Sequence, residues 1–198
     1  RQPRQHPLNL LIPVGPVVLA RSFGVGERQR FFGSLSAALN LLGRAVLGLG
    51  DFDRAVALFN ESLDMSRERN SQSGRAWSLL NLGLAHTLHG DMAAAQPYYA
   101  DALEDYLNLD RRGGVLAVAD GLAAGLAAGE RAADAVALMA ATDRLRAQIG
   151  ESLTVQEVAM RTDALAATHG SLSEDAWTRA WQRGLELTFE QVVALARK

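Results

Sequence analysis

The stretch LNLGLAHTLHGDMAAAQPYYADAL, residues 80–103, admits two incompatible readings. His86 and His89 stand three apart, close enough on one helix to grip a metal, and Asp91 could complete a ligand set. The same residues also read as the end of one helix, a turn and the start of the next. Gly90 suits the left-handed conformation beyond a helix C-terminus, and Asp91 suits the N-cap of the helix that follows. Apolar spacing on both sides is helical and breaks at the glycine. Recurrence of the arrangement decides between the two.

It recurs at an offset of 40 residues. In NLLGRAVLGLGDFDRAVALFNESL, from Asn40, the residues Leu42, Gly43, Gly50 and Asp51 stand where Leu82, Gly83, Gly90 and Asp91 stand in the second copy. One more offset along, Ala55, Val56, Ala57 and Leu58 return through Ala135, Val136, Ala137 and Leu138, and Phe59, Tyr99 and Met139 share the next position. Leu39, Leu42, Val46 and Leu49 fall on one helical stripe, and Phe52, Ala55, Phe59 and Leu63 on another, so each copy is a helical hairpin. In this register His86 takes the packing position of Val46 and Asp91 is engaged as a cap, and no metal is expected. Gly43 and Gly83 lie inside first helices, where Gly costs about 1 kcal/mol against Ala. Close helix crossing is the expected return, with Ala55, Ala95 and Ala135 opposite.

Leu-Gly, then Gly-Asp, then a small residue and an aromatic four later resembles the tetratricopeptide repeat, best at Asn81, Leu82, Gly83, Gly90, Asp91, Ala95, Tyr99 and Ala102. The chain departs from that pattern in three ways. Its period of 40 exceeds the usual ~34, with the surplus assigned to longer second helices and to linkers such as SRERNSQSG and LNLDRRGG. The third copy has its glycines, Gly121 and Gly129, displaced from the register, and Pro97 falls inside a second helix. The resemblance implies an all-α solenoid of three antiparallel hairpins over residues 34–150. A protein partner or small inducer is expected on the concave face lined by first helices, where the register places Asn40, Arg44, Trp77, Leu84, Thr87, Asp120 and Ala124.

Residues 1–33 are expected to be irregular, apart from a stretch near 16–30 that keeps the register of a preceding second helix through Val18, Leu19, Ser22 and Phe23. After Gly150 the period stops. Thr154 with Glu157, Ser173, and Thr188 with Gln191 open three further helices, a cap over residues 151–198 in which Trp177 and Trp181 share a packing face. The repeats followed by ATDRLRAQIGESL (Ala141–Leu153) and EDAWTRAWQRGLELTFEQVVALA (Glu174–Ala196) resemble the end of the helical-repeat region in large bacterial signalling ATPases, the LuxR-type and maltose-activator-like transcription regulators. That resemblance implies an interaction or inducer-sensing region controlling a regulator. A free-standing adaptor scaffold is the alternative, and a cryptic hydrolase or metalloprotein a third.

Composition narrows the chemistry. A net charge of −2 and a pI near 6.1 give no general attraction to nucleic acid or anionic membranes. No apolar run reaches the roughly 18 residues of a membrane helix. The nearest, Leu8–Ala20, is broken by Pro13, Gly15 and Pro16, and a cytoplasmic location is expected. Cysteine is absent, which removes disulfides and thiolate chemistry. The only lysine is Lys198, so no phosphate-binding loop of the Gly-Lys-Ser/Thr type exists, and no G-x-S-x-G elbow is present. Asp101 with Glu104, and Glu186 with Glu190, read as solvated helix acids, and Arg67, Arg69, Arg111 and Arg112 as solvated linker charges. The expectation is a non-enzymatic chain with neither cofactor nor metal.

Overall fold

The computed structural model describes residues 25–198. Among them are nine helices and no strand. Helices α1 (Val25–Gly48) and α2 (Phe52–Glu68) form the first hairpin, α3 (Gln72–Leu88) and α4 (Met92–Asn108) the second, α5 (Arg112–Leu126) and α6 (Ala132–Ile149) the third. The cap consists of α7 (Val155–Ser171), α8 (Glu174–Glu186) and α9 (Phe189–Ala196). Residues 25–30, the end of the stretch read as a remnant helix, are the first turns of α1; the remainder of that reading, and the segment 1–15 expected to be irregular, lie outside the described residues.

The first two turns follow from their residues. Gly50 and Gly90 adopt φ of 83° and 87°, the left-handed region a side chain disfavours. Asp51 and Asp91 then accept hydrogen bonds from the backbone N–H of Arg54 and Ala94, at 3.3 and 3.0 Å. The third turn departs from this, because Arg131 occupies the capping position and offers no acceptor. The assigned linkers are corrected: most of SRERNSQSG and LNLDRRGG is helical, and only residues 69–71 and 109–111 lie between helices. Asn70 and Asp110, at matching places, take φ of 53° and 52° there, a conformation their short polar side chains tolerate. Helix α4 runs through Pro97, whose ring is exposed.

Hairpins stack so that α1, α3 and α5 touch one another in succession, forming the inner layer of an α-solenoid of the tetratricopeptide type. Its core is a ladder of aromatic rings on glycines. A Cβ on Gly43 would lie 2.5 Å from the Phe59 ring, and one on Gly83 2.6 Å from the Tyr99 ring. Gly121 bears on the far part of the same Tyr99 ring, so the displaced glycine of copy three serves the contact between hairpins. The alanines expected opposite the glycines are fully buried, but the rings make the close approach.

Two residues of the predicted first stripe are also corrected. Leu42 and Leu49 are exposed, whereas Leu82, in Leu42's register position, is fully buried. Leu82 has a preceding hairpin to pack on; among the described residues Leu42 has none. At the opposite end, α6 is buried all round, from Ala135 to Ala141, because α5 covers one side and α8 the other. Gly184 permits that second contact by resting on the carbonyl of Ala137.

Candidate binding surface

The inner layer carries two polar clusters at equivalent register positions, and they fill the groove differently. In the first hairpin Asn40 is fully buried. Its amide donates to Ser62 Oγ at 2.7 Å and Ser78 Oγ at 3.1 Å, and its oxygen accepts from Asn81 at 2.9 Å. Ser36 joins this network through Ser62 Oγ at 2.8 Å and Ser66 Oγ at 3.1 Å. Every member is neutral.

In the third hairpin the same two positions hold Asp120 and Thr142, whose hydroxyl donates to the carboxylate at 2.6 Å. Asp120 has no exposed surface and takes two guanidiniums, Arg146 at 2.5 Å and Arg161. Arg161 belongs to α7 and is itself buried. It reaches further to the Met139 carbonyl at 3.2 Å and to Asp143 at 2.6 Å. Burial pushes the Asp143 carboxyl above its usual range, against the pull of Arg161.

Arg161 brings α7 across the inner layer. The helix packs on α5 and α6, touches α3, and meets α1 through Gln156, which exchanges hydrogen bonds with the Arg44 guanidinium at 3.3 Å and the Arg44 carbonyl at 3.1 Å. Tyr99 Oη lies 2.9 Å from Thr87 Oγ1 and 4.0 Å from Met160 Sδ. Burial drives the Tyr99 phenol far above its usual range.

The remainder of the groove is open. A cleft of about 730 Å³ lies between the start of α3 and α5 and the end of α6, within the size range of ligand sites. Trp77, Met65, Tyr106 and Ile149 give it apolar walls, and the buried hydroxyls of Ser36 and Ser66 belong to its lining. Arg69, Arg111 and Arg112 stand at it with Asp110 and Glu151. The Arg112 guanidinium also lies 4.8 Å from the centre of the Phe189 ring.

Of the seven positions expected on an open concave face, Trp77 alone lines this cleft. The expectation is corrected for Asn40, Leu84 and Asp120, which are buried: two are consumed by internal polar clusters, and Leu84 lies in the apolar core. Arg44 is held by α7, Thr87 bonds to the Gly83 carbonyl and to Tyr99, and Ala124 is half-buried against the core. Sequence reasoning missed the cleft because its walls come from helix ends far apart in the chain. The helix α7 itself was expected from its Thr154 and Glu157 capping box; its seat across the inner layer was not, because the partner of Arg161 lies on a different helix.

The histidines that opened the sequence question sit among rings. His89 stacks on Phe52 at 4.0 Å, and His86 lies 5.5 Å from Tyr98 and edge-on to Phe52 at 5.3 Å. With Asp91 capping α4, no group of three or more metal-ligating side chains converges here or elsewhere among the described residues. Trp177 and Trp181 stack at 5.1 Å, and His169 covers the next ring face at 4.7 Å, so this pair joins α7 to α8.

The family model described as tetratricopeptide repeat matches residues 34–108, which run from α1 to the end of α4. This stretch is a tetratricopeptide-repeat region. No curated protein and no solved structure matches the chain.

Proposed function

We propose that the chain is a non-enzymatic interaction and sensing region, and that it takes a protein partner or a small inducer in the open cleft beside Trp77. Tetratricopeptide repeats generally mediate protein-protein interaction, and the cleft is the observation that carries the assignment to this face. It offers a flat indole, apolar walls and buried hydroxyls in a concave space, the combination ligand sites use for affinity and orientation. We place the region within a bacterial transcription regulator or signalling ATPase, on the resemblance of its last three helices to those of such proteins.

Capture of partners from the source cell with the full chain, compared with Trp77→Ala, tests the cleft. Loss of a captured partner in the variant supports it, and an unchanged set of partners sinks it. An in-frame nucleotide-binding domain upstream in the gene would support the regulator context. Without one, the free-standing adaptor takes its place.

A further inference from the structure

The filled part of the groove carries a second reading, which rests on the chain being an interaction module but not on the cleft. Helix α7 presents Gln156, Met160, Arg161, Ala164 and Thr168 inward, a spacing that puts all five on one face. Through them it spans the first helices of all three hairpins, from Arg44 of α1 to Asp120 of α5. An α-helix seated along an inner layer of helices is one of the recurring ways one protein holds a segment of another.

Large apolar side chains contribute little to its seat. Met160 is the one large apolar side chain that α7 buries completely, and Val155 and Val158 are left 81% and 47% exposed. The deepest contact is an ion pair, which fixes register but offsets much of its own attraction through desolvation. Residues 151–154 ahead of α7 are not helical, and α8 lies along α6, anchored there at Gly184. Helix α7 could therefore leave the groove without unpacking the third hairpin, retaining its tether at the His169 and Trp177 end.

We propose that the groove over α3 and α5 is a helix-binding surface whose resident occupant is α7, and that it exchanges α7 for a helix of a partner protein. The partner helix presents an arginine to Asp120, with an unbranched apolar residue just before it and small residues three and seven positions after, as Met160, Arg161, Ala164 and Thr168 do.

The probe is a fluorescent synthetic peptide with the sequence of residues 153–173, added to the full chain. Tethered α7 competes in wild type at an effective concentration of about millimolar, so the peptide binds weakly. Met160→Asp combined with Ala164→Asp sets carboxylates against Asp120 and expels the resident helix. The expected result is peptide binding at least about tenfold tighter to this variant than to wild type, and a comparable loss when the peptide carries Arg161→Ala. Hydrogen exchange on wild type supplies an independent measurement, in which α7 amides should exchange ahead of those of α3 to α6. A folded variant that gains no peptide binding overturns the proposal. So does exchange of α7 in step with α3 to α6, and that measurement decides alone if the variant does not fold.

Discussion

The two halves of the inner groove are built on one register with different chemistry. The first hairpin pairs Asn40 with Ser62, and the third pairs Asp120 with Thr142. An amide among hydroxyls satisfies itself locally, donating to Ser62 and Ser78 and accepting from Asn81, and it recruits nothing from outside the hairpins. A carboxylate without solvent needs counter-charge. Arg146 supplies one guanidinium from the same hairpin, and Arg161 supplies the other by carrying α7 with it. One change of functional group at a repeated position thus separates a cluster closed within the hairpins from one that draws in a helix of the cap.

The strongest way to break this contrast is Asp120→Asn, which gives the third hairpin the chemistry of the first. Arg161 then keeps only the partly exposed Asp143, and Arg146 loses the carboxylate it pairs with. Removing one partner of a buried pair costs about 3–5 kcal/mol when the other charge stays buried. Here Arg161 can return to water with α7, so the loss in urea unfolding should fall near the lower end of that range. Limited proteolysis should begin at residues 151–154, where the chain is not helical. Unchanged unfolding together with unchanged resistance of that segment would mean that the ion pair does not fill the groove.

The converse substitution is Asn40→Asp. It removes the donor that Ser62 and Ser78 accept from and sets a carboxylate among serines and Asn81. A loss of about 2–3 kcal/mol is expected near neutral pH, from an unsatisfied and charged buried group. Burial raises the folded pKa of the new carboxyl above its unfolded value, so the folded state binds the proton more readily. The variant should recover stability as pH falls through that folded pKa. A deficit independent of pH would show that lost packing, and not buried charge, separates the two clusters.

What the sequence made legible is local. Gly50, Gly90, Asp51 and Asp91 declare their turns because a left-handed residue and a capping carboxylate act within three residues. Burial depends on neighbours, and identical register positions diverge: Leu82 is buried where Leu42 is 46% exposed. The all-apolar run from Ala135 to Ala141 did hold a readable signal, since a helix without a polar face requires cover on two sides, which α8 provides. The pairing of Asp120 with Arg161 had no such signal, because nothing in the spacing of two charges on different helices marks them as buried partners.

A smaller effect tests the ladder that connects the halves. Gly83→Ala places a methyl 2.6 Å from a Tyr99 ring that also bears on Gly121 and has no exposed surface into which to move. Overpacking there should cost about 1–2 kcal/mol in chemical unfolding, despite the better helix propensity of Ala. Gly33 has nothing within 4 Å of an added Cβ, and Gly33→Ala should raise stability by up to about 1 kcal/mol. Equal effects from the two substitutions would remove the packing argument for the ladder.

The smallest effect concerns the ring position shared by Phe59 and Tyr99. Tyr99→Phe gives the second hairpin the ring of the first and removes the hydroxyl beside Thr87, at a cost of about 1 kcal/mol near neutral pH. Its clearer mark is at alkaline pH. Burial raises the phenols of Tyr99 and Tyr106 far above their ordinary value of about 10, so above that pH the unfolded chain releases protons that the folded chain retains. Stability then falls as pH rises from the ordinary phenol value toward the folded one, by up to about 1.4 kcal/mol per pH unit for each tyrosine. Tyr99→Phe removes one of the two contributions. Unfolding free energies of wild type and variant should converge, and then cross, as the buffer is raised above pH 10. Parallel curves would show that the Tyr99 phenol ionises as freely in the groove as in water, and that α7 does not seal it.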